Sequence, residues 1–405
     1  MPKTNNIPEV RFAGFTDAWE QRKLGEVATY RRGSFPQPYG KSEWYDGDGA
    51  MPFVQVADVS DEMNLVEETK QKISILAQPM SVFAEKNSVL VTLQGSIGRV
   101  AIMQYGAFVD RTVLIFEKYK AEIDKTFWAY IIKQKFIDEA RKAPGGTIKT
   151  ITKEALSDFD LSIPKYQEQK QIGAYFRNLD NLITLHQRKY ERLKNVKKSM
   201  LEKMFPKNGS NIPEIRFAGF TDAWEQRKLS DLIIEYKETV DSDCTLPVLT
   251  SSKTEGVVLQ EEHFGRVQNH DITGYNILPR NYCTYRNRSD GVDFTFNINR
   301  CCDKGIISKF YPVFYGNNSD IFFISMVLNY CDEVVHEIAY TCTGTGQKVL
   351  SFLDLQKMNI RVPSYDEQKK ISQYFEQLDN LITLHQRKLE KLQNIKKSML
   401  EKMFV

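Results

Sequence analysis

The chain lacks any long apolar run. The longest, residues 321–328, is far shorter than the roughly 20 residues that span a bilayer, and no signal peptide is visible. The six cysteines all lie beyond residue 240, so a disulfide framework or a structural zinc site would exist in only one half of the chain. No C-x-x-C spacing occurs. We therefore expect a soluble cytoplasmic protein with reduced cysteines and no metal site.

Motifs of catalysis are also missing. The sequence has no G-x-x-x-x-G-K-[ST] loop, no G-x-G-x-x-G, no G-x-S-x-G and no H-E-x-x-H. Residues 344–348 resemble a phosphate loop in composition but lack its spacing. With only five histidines, histidine-based catalysis has few candidates. We expect no catalytic residue and no cofactor in this chain, and we favour a binding protein over an enzyme.

Two segments, by contrast, occur twice. Residues 7–24 return as residues 212–229 with one difference, Val10 against Ile215, and residues 179–205 return with few changes as residues 378–404. The stretches between the copies do not repeat. Each is large enough for a small domain, since domains of about 100 to 150 residues are commonest. The pattern predicts one duplicated scaffold that carries two different heads.

Charge is distributed unevenly along an otherwise ordinary globular composition of 41% hydrophobic and 26% charged residues. The net charge is only +3. Residues 186–205 nevertheless carry seven basic residues against two acidic ones, and residues 385–405 carry six against two. Such segments can face phosphates or an acidic protein partner. The alternative is a solvated helix face.

The second repeat predicts a long helix with a coiled-coil seam. Pro164 and Pro363 mark the helix starts, and Pro206 follows the end of the first helix. Apolar residues recur at alternating steps of four and three, which is heptad spacing. The seam includes Leu179, Ile183, His186 and Leu193 in the first helix, and Leu378, Ile382, His385 and Leu392 in the second.

Chain connectivity predicts that these helices pair in an antiparallel coiled coil. The first helix runs from one head to the other, and the second starts at the second head, so it must run back. About 40 residues at about 1.5 Å rise give a rod of roughly 60 Å. Pseudo-two-fold symmetry would bring His186 and His385 close together. We interpret them as a polar layer that fixes the register, with pH sensing as the alternative.

The architecture predicted is α+β, with two mixed α/β heads, each built on a small, mostly antiparallel sheet. In the first head, residues 89–93, 100–103 and 112–116 read as strands and residues 124–142 as an amphipathic helix. The predicted order is a first domain (1–163), a long helix (164–205), a linker (206–211), a second domain (212–362) and a second long helix (363–405).

Basic and aromatic clusters in the heads suggest nucleic-acid contacts. Arginine can read guanine and asparagine can read adenine in the major groove, while lysine and tyrosine can hold phosphates. An ordinary charged surface is the alternative. The candidates in the first half are Arg31, Arg32, Tyr39, Lys41, Trp44, Arg99 and Lys149; those in the second half are Tyr285, Arg286, Asn287, Arg288, Asn297, Arg300 and Lys348.

Several motifs together resemble a known family. R-F-A-G-F-T-D-A-W-E-Q-R-K-L opens each half, and G-S-I-G-R-V-A-I occupies residues 95–102. A Gly-Thr loop then leads to I-P-K-Y-Q-E-Q-K-Q-I or V-P-S-Y-D-E-Q-K-K-I and a long basic helix. This ordered combination, over essentially the whole chain, resembles the specificity subunit of type I restriction-modification systems.

The resemblance implies a non-catalytic DNA-recognition role. Each of two target-recognition domains would read one half of a bipartite site in double-stranded DNA, and the helices would set the spacer between the halves. Two methylation subunits would dock on the repeated helices, and restriction subunits would join them. S-adenosylmethionine would belong to the methylation subunits, and ATP with Mg²⁺ to the restriction subunits.

Three other functions are alternatives, although nothing in the sequence supports a lone enzyme. A coiled-coil scaffold would bind protein alone and would not retain specific DNA. A nuclease or methyltransferase acting by itself would be active as the isolated chain. A general nucleic-acid binder would prefer tRNA or single strands. Competition between duplex and single-stranded DNA would distinguish it.

Overall fold

The computed structural model describes residues 6–142, 153–207, 209–267 and 271–404. The chain divides into two compact units: a first unit of residues 1–188 and 386–405, and a second unit of residues 189–385. We call residues 20–163 the first head and residues 225–362 the second head. Among the described residues, no helix has the length and apolar character needed to cross a membrane.

The described residues of the first head form ten short strands and three α-helices. The strands are β1 (Glu20–Lys23), β2 (Ala28–Arg32), β3 (Met51–Val54), β4 (Gln71–Ile73), β5 (Val82–Ala84), β6 (Val89–Thr92), β7 (Val100–Ile102), β8 (Ala107–Val109), β9 (Val113–Tyr119) and β10 (Asp160–Ile163). The helices are α1 (Leu24–Val27), α2 (Lys125–Lys142) and α3 (Lys153–Ser157), and the first long helix, α4 (Tyr166–Lys203), follows.

Two four-stranded sheets form the body of this head. One has the order β2-β9-β6-β7 and is antiparallel throughout. The other has the order β4-β3-β8-β5, in which only the β3–β8 pair is parallel. All four residues of β6 are buried, and α2 covers this part of the core with Phe127, Trp128 and Ile132. The predicted strands and helix are confirmed; β9 runs three residues further because it pairs with β2 as far as Ala28.

The second head has more strands in smaller sheets. Its strands are β11 (Glu225–Lys228), β12 (Ile233–Tyr236), β13 (Leu249–Ser252), β14 (Gly256–Leu259), β15 (Asn276–Pro279), β16 (Cys283–Thr284), β17 (Arg288–Ser289), β18 (Asn297–Ile298), β19 (Lys304–Ile307), β20 (Val313–Gly316), β21 (Lys348–Val349) and β22 (Asn359–Val362). Its helices are α5 (Leu229–Leu232), α6 (Gln260–Phe264), α7 (Ile321–Tyr330), α8 (Asp332–Thr341) and α9 (Phe352–Lys357), before the second long helix, α10 (Tyr365–Met403).

The main sheet of the second head has the order β12-β20-β16-β18, and two-stranded ladders surround it. Helix α7 begins at Asp320, whose carboxylate accepts the Phe323 amide N–H, a standard N-cap. The helix then ends at Cys331, whose extended backbone separates it from α8. The first head has one continuous helix, α2, at the corresponding place in the chain order.

Both units attach their head to the long helices in the same way. Arg11 forms a two-point ion pair with Glu168 in the first turn of α4, at 2.9 and 2.7 Å, and Arg216 repeats it with Glu367 at the start of α10. The side chains of Arg11 and Glu168 are only 9% and 2% exposed. Hydrogen bonding to Glu168 raises the pKa of Arg11, so this arginine stays charged. We call the duplicated segments 7–24 and 212–229, which make these contacts with the long helices, the joints.

The long helices pack antiparallel within each unit. In the first unit Phe176 of α4 contacts Phe404, and Asp180 one turn later pairs with Lys396 at 2.6 Å. The contacts therefore move forward along α4 and backward along α10. In the second unit Phe205 contacts Phe375, and Lys197 pairs with Asp379 at 2.6 Å. The predicted α+β class with two long, mutually packed helices is confirmed.

The predicted seam residues are buried or half-buried in both helices. Leu179 and Leu378 are buried, and each is 7% exposed. The other predicted positions are half-buried, namely Ile183, His186, Leu193, Ile382, His385 and Leu392. His186 belongs to the first unit and His385 to the second. Their proximity therefore stays a prediction.

Candidate nucleic-acid interface

The second head gathers several predicted residues around one cavity. Strand β17 pairs with β21 so that Arg288 lies opposite Val349 and Ser289 lies opposite Lys348. Arg286, Arg288 and Ser289 line a cavity of about 280 Å³. The short ladder thus joins the arginine segment to the loop that carries Lys348, which are 60 residues apart in sequence.

Charge in this cavity is mixed, and two of its cations are unpaired. Lys253, which the sequence did not single out, forms an ion pair with Asp293, and this hydrogen bond lowers the pKa of the Asp293 carboxyl. Arg286 and Arg288 form no ion pair within the described part of the chain, and both are exposed. The Arg288 guanidinium lies 4.6 Å from the centre of the Phe310 ring. The cavity therefore offers two free guanidinium groups to an anion or a base edge.

The asparagines of this head mostly serve its own structure. Asn297 donates from Nδ2 to the Ser251 hydroxyl at 2.8 Å and to the Ser252 carbonyl at 2.9 Å, and so holds a cavity-lining loop. Asn287 has a buried side-chain oxygen with no hydrogen-bond partner in the described chain. Because this oxygen is buried, it is out of reach of a base edge in this conformation.

Two predicted candidates of the second head have structural partners instead. Tyr285 is 0% exposed, and its hydroxyl donates to the Leu350 carbonyl at 3.0 Å. Tyr285 is therefore a core residue and not a candidate DNA contact. Arg300 pairs with Glu376 of α10 and donates to the Asn281 side chain at 2.6 Å. Its guanidinium links the head to the long helix.

In the first head, the predicted residues lie on β2 and the loop that follows it. Arg31 pairs with Glu117 at 2.5 Å, and Arg32 is exposed at the end of β2. Lys41 pairs with Glu43 at 3.1 Å. Trp44 is only 9% exposed, and its indole N–H donates to the Pro38 carbonyl at 3.0 Å. Trp44 therefore anchors the loop from inside.

Tyr39 is an exposed aromatic residue of this loop. It is 58% exposed, and its ring lies 4.4 Å from that of Phe35, measured between centroids. The Arg111 guanidinium lies 4.9 Å from the centre of the Phe35 ring. Arg111 was not among the residues predicted from the sequence. In the sequence, Asp110-Arg111-Thr112 reads only as a polar turn. The contact of Arg111 with Phe35 depends on the tertiary fold, so the sequence does not reveal it.

The remaining first-half candidates lie elsewhere. Arg99 pairs with the Asp61 carboxylate at 2.9 Å. The backbone carbonyl of Asp61 also accepts a hydrogen bond from Lys133. No contact joins Arg99 to the Phe35–Tyr39 pair. Lys149 lies outside the described residues.

A second kind of surface lies on the long helices. Leu182 and Leu185 of α4 are 43% and 46% exposed, and their copies in α10, Leu381 and Leu384, are 43% and 45% exposed. These leucines lie off the seam, one helical turn apart within each pair. Both units thus present the same pair of leucines, which the packing within each unit leaves exposed.

Among the described residues, no group of three or more His, Cys, Asp or Glu side chains is placed to hold a metal ion. The six cysteines are all free thiols. The chemistry that these surfaces offer is recognition of anions, bases and apolar side chains.

Comparison with known proteins gives a consistent result. A family described as the type I restriction modification DNA specificity domain matches residues 16–195 and 303–394, which is more than half of the chain. The type I restriction enzyme MjaVIII specificity subunit of Methanocaldococcus jannaschii is 22% identical over 427 residues, covering 98% of this chain and 95% of the relative. The putative MjaX specificity subunit of the same organism is also 22% identical, over 437 residues, with the same coverage.

A solved structure shares the fold. The crystal structure of the type I restriction-modification system S subunit from M. genitalium superposes with a TM-score of 0.62 at 13% sequence identity, covering 98% of this chain and 99% of that one. At this level of identity the likeness concerns the fold alone.

Proposed function

Because the chain belongs to the type I restriction-modification DNA specificity family, we propose that it is the DNA-recognition subunit of such a complex. Each head would read one half of a bipartite, asymmetric target in double-stranded DNA. The observation that carries this proposal is the combination of two duplicated joints and helices with two dissimilar heads. Identical attachment of different heads suits a target whose two halves differ in sequence.

The second head supports DNA reading by its unpaired guanidinium groups. Arg286 and Arg288 line one cavity, and Lys348 lies across the same ladder. Arginine can donate two hydrogen bonds to guanine O6 and N7, and lysine neutralises phosphates. We therefore place the contact to one half-site at the rim of this cavity.

Catalysis would belong to other subunits. Methylation subunits, two in number, would dock on the long helices, where the same exposed leucine pair occurs in each unit. Restriction subunits would join that assembly. S-adenosylmethionine would bind the methylation subunits, and ATP with Mg²⁺ the restriction subunits. This chain would contribute no catalytic residue.

The map of methylated bases in a host that expresses this chain with its methylation subunit tests the proposal. We expect one asymmetric motif in two parts, separated by a spacer of fixed length and unspecified sequence. Expression of the methylation subunit alone is the control and should leave this motif unmodified. A single unsplit motif, or the same map without this chain, would contradict the proposal.

A further inference from the structure

Arg111 lies in a turn between β8 and β9 whose backbone is held from several sides. The Asp110 carboxylate is buried and accepts the Thr112 amide N–H at 2.9 Å. The Asp110 amide N–H donates to the Val54 carbonyl at 2.9 Å, and the Thr112 carbonyl accepts the Leu93 amide N–H at 2.8 Å. The turn is therefore rigid, and it leaves the Arg111 side chain exposed.

A close approach of β2 brings an aromatic ring to this turn. The Gly33 amide N–H donates to the Val113 carbonyl at 3.0 Å, and the Ser34 amide N–H donates to the Val109 carbonyl at 2.9 Å. A Cβ atom on Gly33 would lie 2.1 Å from the Val109 carbonyl oxygen, so only glycine permits this contact. Phe35 follows directly and lies against the Arg111 guanidinium.

The Arg111 guanidinium lies over the Phe35 ring, 4.9 Å from its centre, and this contact does not neutralise its charge. In the part of the chain that the structure describes, Arg111 forms no ion pair, whereas Arg31 and Arg99 each have a carboxylate partner. A guanidinium that stacks on a ring through its face keeps its N–H donors, which lie in its plane, available for other groups. Arg111 is thus an exposed cation of this head that has no ion-pair partner among the described residues.

The second head contains the same arrangement, built from unrelated positions. Arg288 is exposed, has no ion pair within the described residues, and stacks 4.6 Å from the centre of Phe310. Arg111 follows β8, whereas Arg288 lies on β17, so the likeness does not come from the duplicated segments. Among the described residues, each of the two dissimilar heads therefore presents an exposed arginine that lies over an aromatic ring and has no ion pair.

We propose that Arg111 is a specificity-determining residue of the first head that reads a guanine of its half-site through O6 and N7. This inference rests on the proposed DNA-recognition function. Two parallel N–H···O and N–H···N bonds need a guanidinium of fixed orientation, which Phe35 and the rigid turn supply. Tyr39, whose ring contacts that of Phe35 at 4.4 Å between centroids, is a positioning residue for the same group.

The test compares methylation maps and DNA binding of the complex formed with the methylation subunit. Arg111→Ala and Arg111→Lys should relax the base preference at one position of the first half-site and leave the second half unchanged. Binding of the cognate duplex should weaken by roughly 5- to 150-fold, the effect of losing one bidentate base contact. Lysine should not rescue, because it provides a point charge without a planar donor pair.

Two matched variants complete the experiment. Arg288→Ala should relax the other half-site. Arg141→Ala, which removes an exposed arginine of α2 that pairs with Asp138, should leave both halves unchanged. Unaltered circular dichroism and thermal unfolding of the Arg111 variants would exclude a folding defect, since the side chain is exposed.

The possible failures are distinguishable. If the unaltered complex gives a bipartite motif and Arg111→Ala gives the same motif, the inference about Arg111 is overturned and the proposed function stands. A uniform weakening on all duplexes, with a smaller salt dependence, would also overturn it, because that result indicates a phosphate contact. If the unaltered complex gives no bipartite motif, the proposed function itself fails.

Discussion

At the residue scale, charged side chains of this protein fall into two groups. Some arginines are joined to internal carboxylates, such as Arg11 to Glu168 and Arg300 to Glu376, and these hold the molecule together. Others, such as Arg288, have no internal acid in the described chain. The sequence alone does not distinguish the two groups of arginines, because an arginine in a polar loop looks the same whether or not a carboxylate from a distant element pairs with it.

The buried pair in the joint gives a stability prediction. Arg11→Leu should reduce the free energy of unfolding of the first unit by about 3 kcal/mol, because it leaves Glu168, 2% exposed, without its counter-ion. The double variant Arg11→Leu with Glu168→Leu should recover much of this loss. Denaturant unfolding monitored by tryptophan fluorescence would measure both.

The exposed pair Lys165–Asp17 in the same region is the control. Lys165→Ala should change stability little, since both side chains are largely solvated. Arg216→Leu should affect the second unit as Arg11→Leu affects the first, because Arg216 and Glu367 repeat the same contacts. Equal stability of Arg11→Leu and the unaltered protein would show that the joint does not depend on this pair.

At the scale of elements, each long helix has two apolar stripes with different uses. The seam stripe, with Leu179 and Leu378, is buried inside the units. The second stripe, with Leu182 and Leu185 and their copies, is nearly half exposed. The heptad spacing predicted the first stripe. The heptad spacing does not mark the second stripe, because leucines next to a seam also occur on ordinary helix surfaces.

The exposed leucines yield a docking prediction. Leu182→Glu with Leu185→Glu should weaken binding of a methylation subunit at least about tenfold, since each leucine contributes burial energy only in the complex. Applied to one helix alone, the change should lower the number of bound methylation subunits from two to one. Mass measurement by light scattering during titration would show this.

A control for added negative charge is available on the same helix. Thr184 is exposed and lies between the two leucines in sequence, so Thr184→Glu should leave binding nearly unchanged. The isolated double variant should keep its thermal unfolding temperature. Two methylation subunits bound to the leucine variant with unaltered affinity would rule out this face as their docking site.

At the scale of the whole molecule, the proposal gives the helices a measuring role. If they set the spacer between half-sites, four residues added to both helices would lengthen them by about 6 Å. At about 3.4 Å per base pair, we expect a spacer longer by about two base pairs. Adding the residues to both helices shifts both seams alike and keeps their partners opposite.

The methylation map of the lengthened variant checks this expectation. Both half-site sequences should stay the same while the distance between them grows. A variant with four residues added in the exposed turn after Lys86, between β5 and β6, provides a control for insertion as such and should keep the original spacer. An unchanged spacer in the lengthened variant would exclude the measuring role.

The duplication, the two long helices with their seam, the α+β class and the family resemblance could all be predicted from the sequence. Each of these follows from local spacing, such as heptads and strand-length apolar runs, or from identity between copies, and neither depends on distant contacts. The start of α4 near Pro164 and the strand β6 are of this kind.

The exposure and the ion-pair partners of the candidate side chains, by contrast, emerge only from the folded structure. Burial withdrew Tyr285 and Trp44, ion pairing engaged Arg300 and Arg99, and a glycine contact between two strands brought Phe35 to Arg111. These outcomes depend on pairs that are many residues apart. Their physical reason is that exposure and charge compensation are properties of the folded surface, which the order of residues along the chain does not contain locally.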